Sequence, residues 1–139
     1  MRRVVLVVAA VTLAARAALP AAAGTTAYIT FRTPSKNIYC AYYSPPAFMR
    51  CDIRSGLHPK PSGKCREGDY GQSVGMTAIG RAHVLCISDS VYSPTARALP
   101  YGSSWSHGGF RCVSRSVGLT CTSSHGHGFF LSRQSWKVY

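Results

Sequence analysis

"NIYCAYYSPPAFMRCDI", residues 37–53, carries an apolar stretch and one cysteine on each side of the pair Pro45-Pro46. Proline has no amide proton for a sheet ladder, so two in a row mark a turn between strands. Folding the chain there sets Tyr42 opposite Met49 and Cys40 opposite Cys51. Strand side chains alternate between faces, so Ile38, Cys40, Tyr42, Met49, Cys51 and Ile53 form one apolar face suited to a core. Facing cysteines of a non-hydrogen-bonded pair stand about 4.5 Å apart at Cα, within reach of a disulfide. Tyr39 and Tyr43 fall on the opposite, outer face and are expected to be exposed.

The same logic extends outward. In "GFRCVSRSVGLTCTSS", residues 109–124, placing Cys112 opposite Cys121 sets Ser114 against Leu119 across a loop Arg115-Ser116-Val117-Gly118, with Gly118 as a left-handed closing residue. Phe110, Cys112, Leu119 and Cys121 then share the inner face. "SVGMTAIGRAHVLCIS", residues 73–88, is rich in β-type residues and broken at Gly80-Arg81, which suits a third hairpin. By elimination Cys86 bonds Cys65, which lies in the Pro/Gly-rich ordered loop "SGLHPKPSGKCREGDYG". No long apolar face of helical period follows residue 23. The expected fold is all-β: a small disulfide-stapled domain of antiparallel hairpins, sandwich- or barrel-like.

The N-terminus bears on the compartment. Met1-Arg2-Arg3 is a short basic opening, Val4–Ala15 an apolar run of twelve, and Ala21-Ala22-Ala23 a small-residue string. That order reads as a secretory signal peptide, residues 1–23, cut after Ala23. A membrane anchor would need about 20 uninterrupted apolar residues, and Arg16 intervenes. The expected product is one released, monomeric domain, residues 24–139. It carries all six cysteines, and an even number in a short exported chain reads as three disulfides. No Cys-x-x-Cys pair supports zinc, and no cofactor is called for. Thirteen Lys and Arg less four acids (Asp52, Glu67, Asp69, Asp89) leave the mature chain at +9. Such a surplus suits anionic surroundings as well as simple solubility.

The ordered landmarks "FRTPSKNIYC", "RCDI", "GDYG", "CISDSV", "LPYGSSW", "FRCVSRSVGLTC" and "GHGFFLSR" span residues 31–133. As a set they resemble a family of small exported actinobacterial proteins catalogued as a domain of unknown function. Lys36 stands where the resemblance leads one to expect glycine in a "PSGN"-like turn. The resemblance implies export, three disulfides and one compact domain. It implies no activity.

Several constellations raise the question of chemistry. His125 and His127 are two apart, and on a strand they would share a face and could pinch a metal. Two ligands make a poor site, and no spacing requires His58, His83 or His107 to join them. "SHGGF" at 106–110 and "SHGHGF" at 124–129 also have the same form, a His-Gly approach to a buried Phe, which favours a structural turn. His83, alternating with Leu85 and Ile87, reads as a packed strand residue. A ribonuclease-like scheme would pair His127 with His107 as base and acid, with Arg111 or Arg133 steadying the phosphate. Glycine-flanked histidines are poorly preorganised for it. No Gly-x-Ser-x-Gly elbow or carboxylate pair is present, and Asp69 and Asp89 read as turn residues.

The best binding candidate is Arg50–Arg66, where Arg50, Arg54, Lys60, Lys64 and Arg66 face only Asp52 within the span. Tyr39 and Tyr43 would add stacking or sugar contacts. The plainer reading is a solvated loop. The residues therefore lean toward a non-catalytic module for an anionic envelope or extracellular partner, such as a cell-wall polymer, with nucleic acid less favoured. A small secreted hydrolase is the competing class. A protease inhibitor or toxin-like protein, presenting a loop such as Leu57–Gly63 to another protein, is a third.

Overall fold

In the first hairpin of the computed structural model, Ile38 faces Ile53, Cys40 faces Cys51 and Tyr42 faces Met49, and all six side chains are buried. The structure describes residues 24–66 and 70–139; the expected signal peptide, Glu67 and Asp69 lie outside those residues. Among the described residues there are only strands: β1 (Ala27–Arg32), β2 (Ile38–Ser44), β3 (Phe48–Ile53), β4 (Ser73–Thr77), β5 (His83–Val84) and β6 (Arg97–Ala98), then β7 (Ser104–His107), β8 (Phe110–Arg115), β9 (Gly118–Ser123), β10 (Gly128–Leu131) and β11 (Trp136–Val138). The first six form one sheet in the order β5-β4-β3-β2-β1-β6, and the other five form a second, β11-β10-β9-β8-β7. Every pairing is antiparallel except β1 with β6. The protein is all-β, and its inner faces share one core.

That core follows from alternation. Phe31, Met49, Ile53, Val74 and Met76 project from the first sheet against Phe110, Leu119, Phe129 and Leu131 from the second. Each large side chain so buried stabilises the fold by about 1.5–3 kcal/mol. The sulfurs join Cys40–Cys51, Cys65–Cys86 and Cys112–Cys121, with Cα separations of 4.1, 5.5 and 4.0 Å. The two short spans match facing cysteines of non-hydrogen-bonded pairs. Sγ atoms of Cys40, Cys51 and Cys121 all lie within 4.8 Å of one another, so the two hairpin cystines stack across the interior.

Two local expectations are corrected. The β8–β9 ladder runs one pair past Ser114–Leu119, to Arg115 opposite Gly118, leaving only Ser116-Val117 in the turn. Gly118 has φ +153°, a positive-φ backbone that side-chain-bearing residues rarely adopt, and a Cβ there would stand 2.6 Å from the Leu131 carbonyl oxygen, so the glycine serves the close approach of β10 as well as the end of the turn. Tyr39 is also not exposed; it is 3% accessible. Alternation does put it on the outer face, but residues 87–96 cross that face and lay Val91 and Ala96 on Tyr39 and Ala41. Tyr92 meets the Tyr39 ring edge-on at 4.8 Å.

Candidate functional site

Arg50 holds that crossing segment down. Its guanidinium donates to Asp52 Oδ1 and Oδ2, each at 2.9 Å, and to the Asp89 side chain and carbonyl at 2.9 and 2.8 Å. Asp52 Oδ2 also accepts the Val91 amide at 2.8 Å. Burial works to lower the Arg50 pKa, but the hydrogen bonds and charges of Asp52 and Asp89 prevail and raise it. Arg50 is thus a buried tie, 7% exposed, and not part of an anion-binding surface. The other cations of the expected cluster are at the surface. Arg54 lies over the Tyr92 ring at 5.4 Å, while Lys60, Lys64 and Arg66 are exposed along the loop. Tyr43 is half-buried beside Tyr28, and desolvation raises its phenol pKa.

A different basic site forms at the end of the sandwich where β1 meets β2. The turn after β1 is closed by Lys36 N donating to Thr33 O at 3.0 Å and Thr33 N to Ile38 O at 3.0 Å. Lys36 has φ +56°, so the turn keeps the left-handed backbone that glycine would adopt and presents a cation instead. Asn37 then ties in the loop after β3: its side chain exchanges two bonds of 3.1 Å with Ser55, and its carbonyl accepts Arg54 N at 2.8 Å. Trp136 Nε1 donates to Pro59 O at 2.7 Å, fastening the same loop to the second sheet. Ser132 Oγ caps the turn before β11 by accepting Ser135 N at 3.0 Å.

These turns enclose a cleft of about 100 Å³. Thr33 and Ser35 line it from the first sheet, and Arg115, Ser116, Arg133 and Gln134 from the second. Among the described residues the lining brings together hydroxyl, amide and arginine side chains from separate turns, with no carboxylate. The volume is a few times that of a water molecule, enough for one anionic group. Lys36 and Lys60 are exposed on the adjoining turns at the same end. Sequence reasoning missed Lys36, Arg115 and the hydroxyls because they are remote in the chain, and only the register of both sheets brings them together.

The histidines are placed otherwise. His125 and His127 sit in the turn before β10, separated by Gly126 at φ +83°, so they do not alternate as strand neighbours. His125 Nδ1 lies 3.1 Å from Ala78 O, linking that turn to the β4–β5 loop. His107 packs edge-on against the Tyr42 ring at 4.8 Å. Between His127 and His107 stand β9 and β8, about 14 Å of sheet at the usual strand spacing. Arg133 lies beyond the far end of β10, about 13 Å of strand or more from His127. The scheme joining His127, His107 and Arg133 is therefore not assembled. Arg111 is exposed on β8, with its carbonyl accepting from Thr122 at 3.4 Å. His58 and His83 contact the carbonyls of Ser55 and Arg81 at 2.9 and 3.3 Å. Among the described residues the one close group of three potential metal ligands is the sulfur trio, already committed to disulfides.

The structure thus defines a disulfide-stapled β-sandwich with a cationic cleft at one end. Residues 11–139 match the model of DUF6636, a family of unknown function, and the chain belongs to that family. No curated protein and no solved structure matches it.

Proposed function

We propose that the protein is a secreted, non-catalytic binding module whose basic sandwich end engages an anionic polymer of the envelope or extracellular space. The observation that carries this reading is that Arg115 and Arg133 line the same cleft as Thr33 and Ser35, with no acid among the described lining residues. Paired guanidiniums recognise phosphate, sulfate or carboxylate oxygens by charge-assisted hydrogen bonds. Three disulfides, typical of proteins outside the cytoplasm, support the export step. A net charge of +9 after signal cleavage concentrates polyanions near the surface before the cleft selects among them.

The test is retention of the oxidised mature protein on an immobilised acidic wall polymer at low salt and at about 0.5 M salt, where counterion release makes polyanion binding strongly salt-dependent. Hydrogen bonds to charged groups contribute about 1.5–3 kcal/mol each, so the double variant Arg115→Ala/Arg133→Ala is expected to bind at least about tenfold more weakly. Lys137→Ala, on β11 outside the cleft, is the control. Retention indifferent to both salt and the double variant would refute the reading. Cleavage of labelled RNA that disappears in His127→Ala would move the protein to the hydrolase class.

A further inference from the structure

The outer face of the first sheet holds a second hollow, independent of the basic end, of about 390 Å³. Its walls are Tyr43, Phe48, Leu85 and Ile87, and its polar edge is Arg50 with Asp89. Gly75 keeps this part of the sheet low: a Cβ there would stand 2.6 Å from the Phe48 ring and 2.9 Å from Leu85, so the absence of a side chain lets both close over the strand. The rings of Tyr43 and Phe48 stand 6.5 Å apart at 49°, forming an aromatic corner.

Charge decides what this corner would take. The Arg50 guanidinium is held by both oxygens of Asp52 and is also bonded to the Asp89 side chain. One cation against two carboxylates leaves the group at −1 in a strongly basic chain. The Asp89 side chain is 77% exposed, so its negative charge faces the opening rather than the core. An incoming carboxylate would meet that charge and find the guanidinium already bonded. An organic cation would meet aromatic faces, apolar walls and a carboxylate, the combination that recognises alkylated ammonium groups. Repulsion from the remote lysines and arginines is damped beyond a Debye length of about 8 Å at physiological salt.

We propose that this hollow is a binding site for a small alkylated or aromatic ammonium ion. Tyr43 and Phe48 supply the cation–π faces, Leu85 and Ile87 cover the apolar body, and Asp89 supplies the countercharge. Nothing in the inference depends on the polyanion reading, and its site lies on the sheet's outer face rather than at the sandwich end.

The test is a titration of the oxidised protein with phenyltrimethylammonium, followed by NMR shifts of the Tyr43, Phe48, Leu85 and Ile87 signals. The uncharged tert-butylbenzene skeleton, as a soluble alcohol derivative, and phenylacetate are run alongside. Saturable shifts confined to this hollow are expected with the ammonium ion, at least fivefold weaker binding of the neutral compound, and none of phenylacetate. Asp89→Asn is expected to weaken ammonium binding at least fivefold while leaving the amide spectrum of the second sheet unchanged. Phe48→Leu, which keeps the apolar volume, should weaken it without reducing affinity for the neutral compound. Equal binding of the neutral compound, preference for phenylacetate, indifference to Asp89→Asn or an absence of saturable shifts would each overturn the proposal.

Discussion

Three residues depart from what their surroundings favour, and each makes a measurable difference. Lys36 holds φ +56°, a left-handed conformation that costs an L-residue roughly 1–2 kcal/mol, part of which glycine would give back in chain entropy. Lys36→Gly is therefore expected to raise stability by about 0.5–1 kcal/mol in urea unfolding, and to weaken polyanion retention by removing a charge beside the cleft. Ser114 Oγ is buried and has no hydrogen-bond partner, so Ser114→Ala should be neutral or stabilise by about 1 kcal/mol. A loss of stability there would mean that the hydroxyl has a partner. The Tyr43 phenol is pushed up chiefly by burial. A group whose folded pKa is raised contributes stability that is present below its unfolded value, near pH 10 for tyrosine, and lost as pH rises through the folded value. An NMR pH titration should find Tyr43 ionising later than a free phenol, with stability declining across that alkaline window.

At the scale of elements, the hairpins were legible and the segment across the outer face was not. Cystine pairs pin β2–β3 and β8–β9, and prolines mark the turn of the first, because alternation and turn chemistry act over a few residues. Asp52, by contrast, meets Val91 through a bond spanning 39 positions. Nothing local in Val91-Tyr92 announces that it covers Tyr39, so the outer tyrosine looked accessible and Arg50 looked like surface. The Arg50–Asp52 pair is the latch of this segment. Asp52→Asn leaves a buried guanidinium with a poorer partner and is expected to cost about 3–5 kcal/mol. Hydrogen exchange at the Val91 amide should quicken more than exchange in β9. Equal quickening in both would show that the pair supports the whole sandwich rather than this segment. The cleft was illegible for the same reason: Arg115 and Arg133 become neighbours only through β9–β10 pairing, while folding buries Arg50 of the linear cluster in an ion pair.

For the whole molecule, disulfides carry a large share of stability. Closing loops of 11, 21 and 9 residues contributes about 3 kcal/mol each, about 9 kcal/mol together, against a typical total of roughly 5–15 kcal/mol. Reduction should abolish cooperative thermal unfolding, as near-UV circular dichroism would show. The stacked cystines sit between the sheets, so they also fill the core.

The most direct measurement is a map of backbone amide shifts in the oxidised mature protein as a short anionic wall-polymer fragment is added. The account predicts saturable shifts at Thr33, Ser35, Lys36, Ser116 and Gln134, weakening with salt, while His107, His125 and His127 at the opposite end stay still. Shifts centred on those histidines, or spread evenly over all exposed cations, would contradict it.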